Sequence, residues 1–295
     1  MFPRLPPVLV FFLLVFLCAP QFFKGTESPQ VPATAPRSSI KLLTIGNSFA
    51  DNATALLPDF AKAGGKDLLV FHANLDGHSL QQHVNYLQAF EADPNDPKGH
   101  AYKNHVDPGT GGKKDFSLRE ALESADWDVV TIQQVSNLSF KPESYQPFAG
   151  ILIAYIHKYA PHAEILILET WAYPDDFFVK FKEDGLDQKT MYAKLKDAYE
   201  KLSAETGLQI IPVGDAFQKV RNLAKSINPN VAGDKHASQS GKYLAAAVFH
   251  EVIFRDNIES NPFVPADLSA DDAKLLRQAA HETVAETAVN RTKKP

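Results

Sequence analysis

Five short stretches carry side chains that can do covalent chemistry together: Gly46-Asn47-Ser48-Phe49, Asp76-Gly77-His78-Ser79, Gln133-Gln134-Val135-Ser136-Asn137, Thr170-Trp171-Ala172-Tyr173 and Gly233-Asp234-Lys235-His236-Ala237-Ser238. A serine hydroxyl is a poor nucleophile until a neighbouring base takes its proton, and imidazole commonly serves as that base. Ser48 and His236 are the candidates for these roles, and the adjacent Asp234 is a candidate to fix the imidazole tautomer. Acyl transfer through such a pair also needs N–H donors for the oxyanion. The backbone N–H groups of Ser48 and Gly77 can supply two, with a side-chain amide from Gln133, Gln134 or Asn137 as a third. Asn47, Trp171 and Tyr173 are candidate substrate-binding residues, and Trp127 offers another aromatic face for stacking on a sugar. Singly, each piece has an ordinary reading. Gly-Asn-Ser is a common capping turn, a lone histidine usually makes a surface hydrogen bond, and a tryptophan usually packs in a core. Their order along one chain is the informative feature.

The elements that must position these residues are a series of short apolar runs alternating with amphipathic stretches. Strands are expected over residues 40–45 (IKLLTI), 68–73, 127–132 (WDVVTI), 164–168 and 209–213. Helices are expected over residues 54–63, 117–124, 145–159, 191–206, from about 215, over 243–254 and over 269–287. Strands alternating with helices of this length imply a parallel sheet covered on both faces. The expected fold is therefore α/β, a three-layer α/β/α sandwich with a five-stranded parallel sheet. In open parallel sheets, ligands bind beyond the carboxyl ends of the strands, and the five stretches above follow the five strand candidates, the last of them past a helix. Residues 91–114 break the rhythm with three prolines and four glycines and are expected to form a long loop, either a wall of the site or a solvated insertion.

The combination resembles the SGNH (GDSL-type) hydrolase superfamily, and in detail an uncharacterised bacterial branch of it. The resemblance is carried by LLTIGNSFADN at 42–52, WDVVTIQQVS at 127–136, YQPFAGILIAYI at 145–156, ILILETWAYP at 165–174 and DKHASQSGKYLAAAVF at 234–249. It implies a flavodoxin-like sandwich with a serine nucleophile and no metal or other cofactor. Ser48 becomes the nucleophile and His236 the base. Gly77 and one of Gln133, Gln134 or Asn137 become oxyanion donors beside the Ser48 amide. Members hydrolyse esters, often acetyl groups on sugars. Two positions depart from the pattern. Asn47 stands where aspartate is usual, and Gly233 stands three before the histidine, where the superfamily has its acid. Asp234 is only two before.

Composition narrows the alternatives. The 295 residues include 30 Lys+Arg against 35 Asp+Glu, a net charge of −5, which argues against a nucleic-acid partner. The single cysteine, Cys18, lies in an apolar N-terminal run (LPPVLVFFLLVFLCAP) behind a basic start. That run is shorter than the ~20 residues of a membrane span and reads as an export signal over residues 1–20, with an uncleaved anchor or a Cys18 lipoprotein as other readings. A Pro/Ser/Thr-rich linker over 21–39, a folded body over 40–288 and a tail over 289–295 complete the expected organisation. The expected protein is an exported esterase acting on a small-molecule or polysaccharide ester, without membrane association beyond the signal. A non-catalytic glycan-binding protein on the same fold is the alternative, motivated by Gly233. A metal-dependent reading would use His72, His78, His83, His100 and His105 near Asp76 and Asp107, but no HExxH or comparable ligand spacing is present. Three Asn-x-Ser/Thr matches, at Asn52, Asn137 and Asn290, are of a kind frequent by chance.

Overall fold

The computed structural model describes residues 35–106, 110–178 and 185–293. The expected signal segment, Cys18, most of the linker and Asp107 lie outside the described residues. In chain order the elements are β1 (Ser39–Gly46), α1 (Ser48–Thr54), α2 (Leu57–Ala63), β2 (Asp67–Asn74), α3 (Leu80–Ala92), β3 (Tyr102–Val106), β4 (Lys113–Phe116), α4 (Leu118–Glu123), β5 (Val129–Ile132), α5 (Phe148–Tyr159), β6 (Glu164–Leu168), α6 (Asp175–Phe178), α7 (Gln188–Thr206), β7 (Gln209–Ile211), α8 (Val213–Leu223), α9 (Gln239–Phe254) and α10 (Ala270–Lys293).

Five strands form one parallel sheet in the order β2-β1-β5-β6-β7. The central strands are continuous apolar runs because both faces are covered: Leu42, Leu43, Ile45, Val129, Val130, Ile132, Ile165, Leu166 and Ile167 are all buried. On one side, α1, α2, α8 and α10 pack on α9, while α3 and α4 pack on α5. Every residue of α9 from Tyr243 to Phe254 is buried, which explains why YLAAAVFHEVIF is apolar all round instead of along one stripe. This is the three-layer α/β/α sandwich expected from the sequence.

The differences from the sequence reading have local causes. The helix expected over 54–63 is α2, which starts at Leu57 with Pro58 in its first turn, where a missing N–H costs nothing; α1 before it goes unread. Helix α3 goes unread although Ser79 and Gln82 form a capping box at its start. The expected loop over 91–114 contains β3 and the first half of β4, an antiparallel pair whose short strands (YKNHV, KKDF) carry too many charges to show an apolar alternation. Instead of lying on the sheet, α10 docks on α9 and α8, and it runs through Lys293, past the expected start of a tail. The ordered body begins before residue 40: the Arg37 N–H donates to the Phe254 carbonyl (2.8 Å), and its guanidinium pairs with Glu164 (2.7 Å).

Two histidines are built into this core uncharged. His83 donates from Nε2 to the Gly46 carbonyl (2.9 Å) and accepts from the Tyr102 hydroxyl (2.8 Å) at Nδ1. His250 lies against Phe60 and Phe254, and neither of its ring nitrogens has a hydrogen-bond partner among the described residues. Burial pushes both down to about 4, whereas the unfolded chain titrates near ~6.5. Between those values the unfolded state binds protons that the native state refuses, so stability falls as pH drops from about 6.5 to about 4. The two together are worth on the order of a few kcal/mol. Urea unfolding at pH 7 and pH 4.5 is expected to show a smaller acid-induced loss for His250→Leu than for the wild type. Equal losses would show that His250 does not contribute.

Candidate active site

Strand β1 ends on Gly46, whose carbonyl accepts from Leu75 N–H and from His83, both at 2.9 Å. Glycine is required at this position: a Cβ would lie 2.8 Å from the Gln133 side chain. Asn47 follows in extended conformation and caps α1. Its Oδ1 accepts from Phe49 N–H (3.1 Å) and from Gln133 Nε2 (2.8 Å), and its Nδ2 donates to the His78 carbonyl (3.0 Å). One buried amide thus joins the ends of β1, β2 and β5. Ser48 is the first residue of α1, and its backbone N–H has no partner among the described residues.

The loop before α9 carries His236. The Ser48 Oγ lies 3.0 Å from His236 Nε2, and His236 Nδ1 lies 2.8 Å from Asp234 Oδ1. The same Asp234 oxygen accepts the backbone N–H of His236 at 3.0 Å. That bond to the residue two positions on turns the carboxylate back onto the ring, which is how an acid only two residues before the histidine reaches the imidazole. The His236 backbone N–H, seconded by its imidazole, holds the Asp234 carboxyl below the usual carboxylate range. An ionised carboxylate can only accept, so Nδ1 carries the imidazole proton and Nε2 presents a lone pair to the Ser48 hydroxyl. Gly233, three residues before the histidine, is a turn residue with φ +64°, and its N–H donates to Asp176 (2.7 Å).

The loop is braced from several sides. Val231 N–H donates to the His236 carbonyl (3.0 Å), Asn230 Nδ2 and Trp171 Nε1 both donate to the Lys235 carbonyl (3.0 and 2.9 Å), Arg221 holds Asn230, and Ala237 N–H donates to Asn52 Oδ1 (2.9 Å). Gly241 in α9 lies so close to the Pro229 carbonyl that no Cβ fits between them.

Several expected site residues have other work. Trp171 is fully buried, stacked between Phe49 (centroids 4.4 Å) and Phe217 (4.5 Å), and Tyr173 and Trp127 are buried too. None offers a face to a ligand, because an indole at a strand end gains more by filling the core while its N–H meets a carbonyl. Asn47 likewise positions the turn and is not open to substrate. Gln134 is saturated: Oε1 accepts from Leu80 and Val135 N–H (3.1 and 2.9 Å), and Nε2 donates to the Ser144 carbonyl and hydroxyl (2.9 and 3.1 Å). Gln133 gives its Nε2 to Asn47. Asn137 is exposed, and its amide makes no hydrogen bond among the described residues. Gly77, at φ +69°, is exposed in a turn held by His78 N–H to the Leu75 carbonyl (3.0 Å) and by the His78 ring between the Asp76 carbonyl (2.8 Å) and the Tyr86 hydroxyl (2.9 Å).

The histidines of the metal reading separate. His83 is buried in the core, His78 braces the Gly77 turn, His72 faces Thr44 and Asn74 (3.4 Å each), His100 faces Glu120 (3.3 Å), and His105 stacks on Phe71. Among the described residues no group of three or more His, Cys, Asp or Glu could hold a metal ion. Sequence reading missed the loop anchors Asn52 and Asn230, and the Tyr86 contact. These depend on contacts between distant elements and carry no local pattern.

Residues 41–283 match the family described as a domain of unknown function, DUF4886. The chain belongs to the DUF4886 family. A crystal structure of a DUF4886 family protein from Bacteroides uniformis is 27% identical, with TM-score 0.72 over 84% of this chain and 95% of that one. Weaker similarity links the chain to a putative GDSL-like lipase from Parabacteroides merdae (14% identity, TM-score 0.48, 76% and 98% of the two chains) and to the lipase/acylhydrolase from Enterococcus faecalis (15%, 0.49, 73% and 96%). No curated protein matches the sequence.

In this DUF4886 chain the amide at position 47 is chemically required, since Nδ2 donates to the His78 carbonyl while Oδ1 receives two N–H groups. Asn47→Asp sets a carboxylate oxygen against that carbonyl. The substitution is expected to lower stability by about 1–3 kcal/mol at pH 7, measured by urea unfolding; an unchanged midpoint would mean that the His78 contact is dispensable.

Proposed function

We propose that this DUF4886 protein is an SGNH-type serine ester hydrolase that removes acetyl or other short acyl groups from carbohydrate. The observation that carries the reading is the continuous relay Ser48 Oγ–His236 Nε2 (3.0 Å) and His236 Nδ1–Asp234 Oδ1 (2.8 Å). As Ser48 Oγ attacks the ester carbonyl, its proton passes to His236 Nε2, and the ionised Asp234 stabilises the imidazolium. The oxyanion is received by the Ser48 and Gly77 N–H groups and the Asn137 amide. Collapse breaks the acyl C–O bond, and His236 returns the proton to the departing alcohol. A water then attacks the acyl-Ser48 ester, giving its proton to His236, and the acid leaves as Ser48 is reprotonated.

The surroundings favour a small acyl group on a polar alcohol. The side chains of His236 and Asp234 are 34% and 46% exposed, Gly77 and Asn137 are exposed, and the neighbouring aromatics Phe49 and Trp171 are sealed in the core. A long acyl chain would find no apolar wall among these residues, whereas a hydrated glycan can approach the open polar rim. Export through an N-terminal signal over residues 1–20 would bring the enzyme to such substrates. Glycan binding without turnover loses its support, since Asp234 reaches the imidazole and the aromatic faces invoked for stacking are buried.

A fluorophosphonate probe is expected to label Ser48, identified by mass spectrometry of the modified peptide. Ser48→Ala is expected to lose about 10⁴-fold or more in kcat on p-nitrophenyl acetate, and Asp234→Asn about 10²- to 10⁴-fold. Wild-type turnover by Ser48→Ala would end the proposal. Acetylated xylan or a similar acetylated glycan is expected to be a better substrate than a long-chain p-nitrophenyl ester, and the reverse preference would remove the carbohydrate part.

A further inference from the structure

The serine and the histidine are 188 residues apart, and their 3.0 Å approach requires that the loop carrying the base be held against the helix carrying the nucleophile. Most of the loop's anchors do not provide this. The bonds from Val231 to the His236 carbonyl and from Ser238 to the Pro229 carbonyl close the loop on itself, those from Asn230 and Arg221 run toward α8, and Trp171 ties Lys235 to the end of β6. The contact between Asn52 Oδ1 and Ala237 N–H (2.9 Å) differs from all of these. Asn52 lies one helical turn beyond Ser48 on α1, on the same face, and Ala237 follows His236 directly.

We propose that Asn52 is a positioning residue: by binding the backbone next to His236 from the nucleophile's own helix, it sets the Ser48–His236 separation. The proposal rests on the serine hydrolase reading above. The strut shares α1 with the hydroxyl, so a shift of α1 carries Ser48 and the base loop together. The Asn-Ala-Thr match at residues 52–54 is thereby absorbed into the fold, with Asn52 engaged on the base loop and Thr54 donating to the Ala50 carbonyl (2.8 Å) within α1.

The test uses the full chain with Asn52→Ala and Asn52→Asp, the latter keeping the acceptor oxygen. Asn52→Ala is expected to lower kcat on p-nitrophenyl acetate by about 10- to 100-fold, the sensitivity of a proton-transfer geometry to about 1 Å of displacement. KM is expected to stay within about twofold, and hydrogen exchange at the Ala237 amide should accelerate. Asn52→Asp is expected to restore most of kcat and the Ala237 protection. If Asn52→Ala does not fold, Asn52→Ser, whose oxygen falls short of Ala237, carries the same test. Wild-type kcat in a folded Asn52→Ala or Asn52→Ser protein, or an Asn52→Asp variant as impaired as Asn52→Ala, would overturn the inference. A wild-type protein that neither turns over esters nor takes the fluorophosphonate label would instead overturn the hydrolase reading.

Discussion

The site depends on which imidazole nitrogen holds the proton. Asp234 decides it, because its Oδ1 is an ionised acceptor shared between the backbone N–H and Nδ1 of the same histidine. With the proton on Nδ1, Nε2 has a lone pair for the Ser48 hydroxyl; on the other tautomer Nε2 would donate to Ser48 Oγ and could not take its proton. The turn that folds the carboxylate back also fixes the rotation of the ring, so one short segment supplies both the electrostatics and the aim of the base. The rest of the molecule has to bring Ser48 to that lone pair and keep it there.

The sheet accomplishes this by gathering its strand ends. Asn47 is the junction: its amide joins the starts of the loops after β1, β2 and β5 through Phe49, His78 and Gln133. Beneath it, Gly46 is locked by the buried His83, so the turn that carries Ser48 is anchored by α3. The polar residues expected to touch substrate mostly build this frame instead. Buried polar groups held by several hydrogen bonds, as Asn47 and Gln134 are, are costly to disturb, and they specify one geometry.

The alternation of apolar runs was enough to read the sheet, because β1, β5 and β6 are buried on both faces and their sequences show it without ambiguity. The serine and glycine candidates directly follow β1 and β2, at the edge where such sheets present functional groups, whereas His236 lies past α8 and is linked to them only by its order in the chain. Less legible was the division of labour. Trp171 and Tyr173 stand at a strand end as a ligand-stacking residue would, and only packing distinguishes that role from a core one. The spacing of Asp234 argues against contact with the imidazole until the turn geometry is known. The β3–β4 pair escaped because its charges hide it from periodicity, and α1, of 7 residues, is too short to show one.

The sandwich of Trp171 between Phe49 and Phe217 has a spectroscopic consequence. Its indole N–H bonds the Lys235 carbonyl, one residue before the histidine, and its ring lies against the residue that follows the serine. The chain contains two tryptophans, and the other, Trp127, bonds the Ala121 carbonyl. Emission from Trp171 therefore reports on the packing between α1 and the loop that carries His236, so the protein carries its own fluorophore at that contact.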